Sequence, residues 1–136
     1  VKFAHKMKAV VCITDLLSIK MWIQELATCI QYGLPMKILN LNNSFMGMVR
    51  QWQECFYDKR YSESVMTTLP DFVALAEAYG HVGLRVYDPT KLDSVLEDAF
   101  IKHKDRLVFI DVITDPEENV YPMVPAGAGL NEMVLV

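Results

Sequence analysis

Two small groups of oxygen-bearing side chains in this chain could hold a charged ligand, and each follows an apolar run. Asp15 comes after Ala9-Val10-Val11-Cys12-Ile13-Thr14, and Asn42-Asn43 comes after Met36-Lys37-Ile38-Leu39-Asn40-Leu41. A carboxylate and an amide oxygen at the ends of neighbouring strands are hard donors. Such donors suit Mg²⁺ in near-octahedral geometry and, through it, a diphosphate. Read as residues alone, Asn43 is more readily a turn residue that tolerates positive φ than a ligand. Met48 and Trp52 lie four apart, and a Met/aromatic stripe at helical spacing usually packs into a core. Other candidates are weaker. His5, His81 and His103 are scattered without metal-ligand spacing, and Glu25 and Glu54 form no acid–base pair. Cys12, Cys29 and Cys55 are odd in number, unpaired in spacing and without an activating neighbour, so buried, reduced thiols are expected.

The elements that must place these groups follow from periodicity. Ala9–Thr14 reads as a strand buried on both faces. Met21 to Tyr32 carries apolar residues at Ile23, Leu26, Ala27 and Ile30, a helical spacing stopped by Gly33. Met36–Leu41 is the second strand, and the loop Asn42-Asn43-Ser44 leads into a helix from Met46 to Phe56. Tyr57 to Leu69 is polar and irregular. Pro70-Asp71 opens a helix with Phe72, Leu75, Ala76 and Tyr79 on one face, ended by Gly80. Val82–Tyr87 is a third strand, and Asp88-Pro89-Thr90 starts a helix reaching His103 with Leu92, Val95, Leu96, Ala99 and Phe100 inward. Leu107–Val112 is a fourth strand. Residues 115–136, rich in Pro and Gly, form an extended tail.

Apolar strands alternating with helices define an α/β fold with a parallel sheet covered on both faces. Ligands on such sheets sit at the carboxyl ends of the strands. The loops Thr14–Met21 and Asn42–Gly47 are therefore expected side by side as the site.

Composition narrows the classes. The chain has 136 residues, enough for one domain with one core. It is 52% hydrophobic and its mean hydropathy is +0.18, richer than a small soluble domain ordinarily needs. The excess is expected to lie in an interface, either in a homo-oligomer or against the rest of a larger protein. Net charge is −4 and the densest basic stretch, Lys102-His103-Lys104-Asp105-Arg106, is short and contains an acid, so nucleic acid is excluded as a partner. No apolar run suits a membrane span, and no signal peptide is visible, so a cytoplasmic protein is expected.

One family's pattern runs through the chain from about Val10. Its parts are Ile23-Gln24-Glu25-Leu26-Ala27-Thr28, Leu41-Asn42-Asn43, Gly47-Met48-Val49-Arg50-Gln51-Trp52-Gln53-Glu54, Tyr61-Ser62, Pro70-Asp71-Phe72, Leu75-Ala76-Glu77-Ala78-Tyr79-Gly80, Gly83-Leu84-Arg85-Val86, Val120-Tyr121-Pro122-Met123-Val124-Pro125 and Gly127-Ala128-Gly129-Leu130. Together they resemble the C-terminal thiamine-diphosphate-binding domain of the acetohydroxyacid (acetolactate) synthase catalytic large subunits. The resemblance implies a three-layer sandwich with a parallel sheet, thiamine diphosphate and Mg²⁺ as cofactors, and condensation of pyruvate with pyruvate or 2-ketobutyrate in branched-chain amino-acid synthesis. By the same resemblance Asn43 and the Phe45 backbone oxygen are metal contacts, and Ser18, Gly47 and Met48 lie beside the cofactor. Trp52 shapes the second-substrate pocket.

The match breaks where the family has Gly-Asp-Gly. Here the chain reads Asp15-Leu16-Leu17, and the metal-binding aspartate falls on Leu16, 27 residues before Asn43. Leu16 has no side-chain oxygen. Leu17 stands where the backbone approaches the phosphate, and Trp22 replaces a small polar residue. Asp15 and Asn42 are also 27 apart, so a one-residue slip of both loops could rebuild a metal pair. The resemblance further implies that the chain is an N-terminally truncated piece, without the first strand of its own domain, the middle domain, or the domain carrying the catalytic glutamate. No catalytic residue is then expected in this chain. The family's partners are the other domains, a second copy and a regulatory small subunit. Two functions follow as expectations: a synthase fragment inactive as an isolated chain, or a non-catalytic module that oligomerises or binds a partner.

Overall fold

The structure, a computed structural model, describes residues 1–135. Four parallel strands form one sheet: β1 (Val11–Asp15), β2 (Lys37–Asn42), β3 (Val82–Val86) and β4 (Val108–Ile113), in the spatial order β1-β2-β4-β3. Among the described residues five α-helices accompany them: α1 (Leu16–Trp22), α2 (Glu25–Gln31), α3 (Gly47–Phe56), α4 (Phe72–Ala78) and α5 (Leu92–Glu97).

Strand pleating sends alternate side chains to opposite faces. On one face Ile38 and Phe109 meet Leu16 and Ile19 of α1, Leu26 of α2, and Phe72 and Ala76 of α4. On the other, Val86, Val108 and Ile110 meet Ala99, Leu92, Val95 and Leu96. The layers follow from right-handed crossovers. Passing from β1 to β2, and from β2 to β3, the chain moves the same way across the sheet. Between β3 and β4 it doubles back, so α5 lands on the opposite face.

That opposite layer is incomplete. Ile13 is in register with Leu39, whose side chain packs toward the α5 layer. Ile13, Val11 and Leu41 share that face, and they are 68%, 45% and 41% exposed. The expected α/β sandwich is therefore built in full over β3 and β4 and left open over β1 and β2.

The main departure from expectation lies after β1. The sequence predicts a loop over Thr14–Met21 and one helix from Met21 to Tyr32. Instead α1 begins at Leu16, and α2 follows as a separate helix. Asp15, in extended conformation, accepts the Ser18 backbone N–H at 2.6 Å and caps α1. Leu16 and Ile19, three apart, bury against the sheet. Of the apolar residues expected to face inward from the second helix, only Leu26 is fully buried; Ile30 is half exposed.

Further along, α3 starts at Gly47 rather than Met46, and Asp71 caps α4 through the Val73 and Ala74 N–H groups. The helix expected to run to His103 is split. A 3-10 turn (Pro89–Lys91) precedes α5 and a π-helical turn (Asp98–Lys102) follows it. Tyr57–Leu69 holds no helix or strand, yet it is anchored: Phe45 bridges Val65, the Met46 N–H donates to the Ser64 oxygen at 2.8 Å, and the Met66 N–H donates to the Ser44 oxygen at 2.9 Å. The tail turns back on itself through a Met123–Val134 bridge and a 3-10 turn at Leu130–Glu132.

Candidate functional site

The site begins with the Asn42-Asn43 step at the end of β2, where the two residues part company. Asn42 is buried. Its Nδ2 donates to Asp111 Oδ1 at 3.2 Å, and its Oδ1 accepts the Ser44 N–H at 3.2 Å. Held at both ends, it turns the chain through Ser44, whose φ is 61°. Asn43 is thereby carried outward. Its Oδ1 accepts the Phe45 N–H at 3.1 Å, and its Nδ2 lies so close to Gly47 that a Cβ there would approach it to 2.9 Å. Glycine at the start of α3 is what admits the Asn43 amide.

Behind this loop lies a buried polar cluster. Asp111, 1% exposed, also accepts from Asn40 Nδ2 at 3.0 Å and from Arg85 Nε at 3.1 Å. Arg85 reaches on to Asp71 at 2.6 Å. Hydrogen bonds from the Ala74 N–H and then from Arg85 hold the Asp71 carboxyl below the usual carboxylate range. Among the described residues, Asn40 Oδ1 is the buried side-chain oxygen left without a partner.

Asp15 and Asn43 face one depression of about 370 Å³ at the carboxyl ends of the strands, together with Phe45, Gly47 and Met48. The ends of β1 and β2 are neighbours, since Asp15 is in register with Leu41, although α1 stands where the first loop was expected. The tail supplies the far wall with Asp115 and Glu118. That wall is fixed to α3 by two buried side chains. Gln51 donates to the Val120 oxygen at 2.8 Å and accepts the Val120 N–H at 2.9 Å. Arg50 donates to the Glu117 oxygen at 3.1 Å and to Asn119 Oδ1 at 3.3 Å, with Glu54 at 2.9 Å. Its guanidinium also lies over the rings of Phe45 and Tyr61.

The remaining sequence-predicted positions lie elsewhere. Ser18 is exposed on α1 and Trp52 is 37% exposed on α3, packed edge-to-face on Phe56 at 5.4 Å; neither lines the depression. Leu16 is 1% exposed and points into the core. His81 is buried, its Nε2 2.8 Å from the Leu26 oxygen. The three cysteines are free, and burial pushes the Cys12 and Cys29 thiols up. Sequence periodicity singled out neither Asp111 nor the tail wall. The acidic run Asp115-Pro116-Glu117-Glu118 was the available signal for the latter.

The donor set does not fit Mg²⁺ and a diphosphate. Position 16 offers an apolar side chain turned away from the depression. Asp15 Oδ1 caps α1, and Asn43 Oδ1 accepts the Phe45 N–H. The depression presents three carboxylates, Asp15, Asp115 and Glu118, and no Lys or Arg, so an anionic diphosphate meets repulsion there. A slip of one residue does not rescue it. Asn42 is occupied by Asp111, and shifting β1 would turn exposed Ile13 inward and buried Thr14 outward.

A parallel α/β sheet with a depression at the carboxyl ends of its strands is the frame of a ligand-binding α/β domain. Residues 1–112 match the family described as "Thiamine pyrophosphate enzyme, C-terminal TPP binding domain", and the chain belongs to that family. Within it, the chain is similar to the acetolactate synthase large subunits. It is 51% identical over 135 residues to that of Haemophilus influenzae, covering 99% of this chain and 23% of the relative. To the isozyme 3 large subunit of Escherichia coli it is 52% identical over 136 residues, covering 99% and 24%. To the large subunit of Cyanidium caldarium it is 43% identical over 134 residues, covering 98% and 23%. The chain spans about a quarter of the length of the curated relatives it matches. Among the described residues no helix is long and apolar enough to cross a membrane.

Proposed function

We propose that this chain is the cofactor-domain portion of an acetolactate synthase large subunit, and that as an isolated polypeptide it is inactive. The inherited reaction is thiamine-diphosphate- and Mg²⁺-dependent condensation of pyruvate with pyruvate or 2-ketobutyrate, in the cytoplasm, in an oligomer with further domains and a regulatory small subunit. The observation carrying the reading is Leu16, an apolar core residue at the position where the family places its metal-binding aspartate. Asn43, Phe45, Gly47 and Met48 all line one depression, which supports the ancestry that the resemblance implies.

The test is a titration of the chain with thiamine diphosphate, with and without Mg²⁺, followed by tryptophan fluorescence from Trp22 and Trp52. The expected result is no saturable, metal-dependent change. A saturable change that requires Mg²⁺ defeats the proposal.

A second reading, a non-catalytic module that self-associates or binds a partner, draws on the uncovered apolar face at Val11, Ile13 and Leu41. Isolated apolar residues at a surface are ordinary, but a contiguous patch beside an unpaired strand edge favours association.

A further inference from the structure

We propose that Leu16 has become an integral part of the hydrophobic core, so that a carboxylate restored at position 16 alone cannot regain a metal site; the turn around it must change as well. The inference rests on the preceding reading of the depression as one that has lost its metal donor.

The argument is one of direction. Asp15 is extended, with φ −98° and ψ 173°, and its carboxylate is taken up by the Ser18 N–H. Helix α1 then starts at once, and its first residue, Leu16, points to the sheet together with Ile19, one helical turn on. Both are essentially sealed from solvent, at 1% and 0% exposure, against Leu26, Ile38 and Phe72. In the present turn, residue 15 faces the depression and residue 16 faces the core.

An aspartate placed at 16 would inherit the core direction. To bring it round to Asn43, α1 would have to turn by about 100°, the angle between successive residues of a helix. That rotation would pull Ile19 out of the core. Leu17 adds a second restraint, because its Cβ narrows the backbone conformations open to the turn. The side chains at 15, 16 and 17 therefore act as a unit: the cap sets the helix phase, the phase sends residue 16 inward, and packing then holds the phase.

Three variants test this: Leu16→Asp, Leu16→Ala, and the triple change Asp15→Gly, Leu16→Asp, Leu17→Gly. Binding of Mn²⁺, a spectroscopic stand-in for Mg²⁺, is read from loss of its free-ion electron paramagnetic resonance signal, and folding from the thermal midpoint. Leu16→Asp is expected to melt on the order of 10 °C below the parent, further below than Leu16→Ala, because it buries an unpaired carboxyl as well as leaving a gap. It is expected to show no saturable Mn²⁺ binding, and if it fails to fold the core role of Leu16 stands. The triple variant is expected to bind Mn²⁺ saturably, at least tenfold more tightly than the parent chain. A Leu16→Asp chain that melts within about 2 °C of the parent, or that binds Mn²⁺ as tightly as the triple variant, overturns the proposal. So does a folded triple variant that binds no Mn²⁺. Saturable binding by the parent chain would instead overturn the inactive reading, which separates the two failures.

Discussion

Replacing Asp111 with alanine is the sharpest probe of how the Asn42-Asn43 loop is held. The carboxylate is 1% exposed and serves three donors: Asn40 Nδ2, Asn42 Nδ2 and Arg85 Nε. Removing it leaves two amide donors buried without partners, at about 1–3 kcal/mol each. The guanidinium fares better, because Asp71 still lies 2.6 Å away and the Arg85 side chain is one-quarter exposed. The combined loss should be about 3–5 kcal/mol, the range found when one partner is removed from a buried charged pair. Total stabilities of about 5–15 kcal/mol make this a large fraction, equivalent to a fall of roughly 10–20 °C in the thermal midpoint. Urea unfolding followed by circular dichroism measures it directly. Hydrogen exchange supplies a local reading: with Asn42 released, the Ser44 and Phe45 amides should exchange faster relative to those of β1. A loss below about 1 kcal/mol, with exchange in the loop unchanged, would refute the idea that Asp111 anchors the step at Asn42.

Two further outcomes follow from named contacts. Asp71 and Asp88 both cap helical turns. Asp71 is held low by the Ala74 N–H and then Arg85, and Asp88 by the Thr90 N–H and hydroxyl. Their folded values lie below the ordinary carboxylate value of about 4, so their contribution is present above that pH and is lost as pH falls through the folded values. Asp71→Asn should therefore destabilise at pH 6 by an amount that shrinks as the pH falls below about 4 in parallel unfolding curves; a pH-independent difference would contradict it. Gly83→Ala should cost about 1–3 kcal/mol by overpacking, since a Cβ on β3 would come within 2.8 Å of both Val73 Cγ1 and the Val73 backbone oxygen on α4. An unchanged midpoint would mean that α4 can shift outward freely.

The strands were plain in the sequence because each is a short, mostly apolar and β-branched run, and their ends fall within two residues of expectation. The Asn42–Gly47 loop was equally legible, since a strand, an Asn pair and a glycine before a helix leave few conformations. The start of α1 was not. Leu16 and Leu17 carry no cap signature of their own, and Asp15 could be read either as a ligand or as a cap; only the neighbouring helix decides. Asp111 hid for a different reason. A single acid inside Leu107–Val112 gives no periodic signal, and its partners are 26, 69 and 71 residues away. The tail wall escaped because Gln51 and Arg50 sit in a pattern that reads only as one face of a helix, while their partners lie in a segment without regular structure.

The strand order also dictates when the molecule can become itself. β4 is last in the chain but sits between β2 and β3. A nascent polypeptide emerging from its amino end can pair β1 with β2 early, yet β3 has no strand to join until Ile113 has been made. Until then it holds a β1–β2 pair and an unpaired β3, with the acid that will seat Asn42 still absent. Folding is thus gated by a late, central piece and by contacts distant in sequence, the circumstance that slows folding and lengthens exposure of sticky strand edges. A ribosome stalled even a few codons short of β4 would hold a chain in which β1, β2 and β3 are made and no continuous sheet can form.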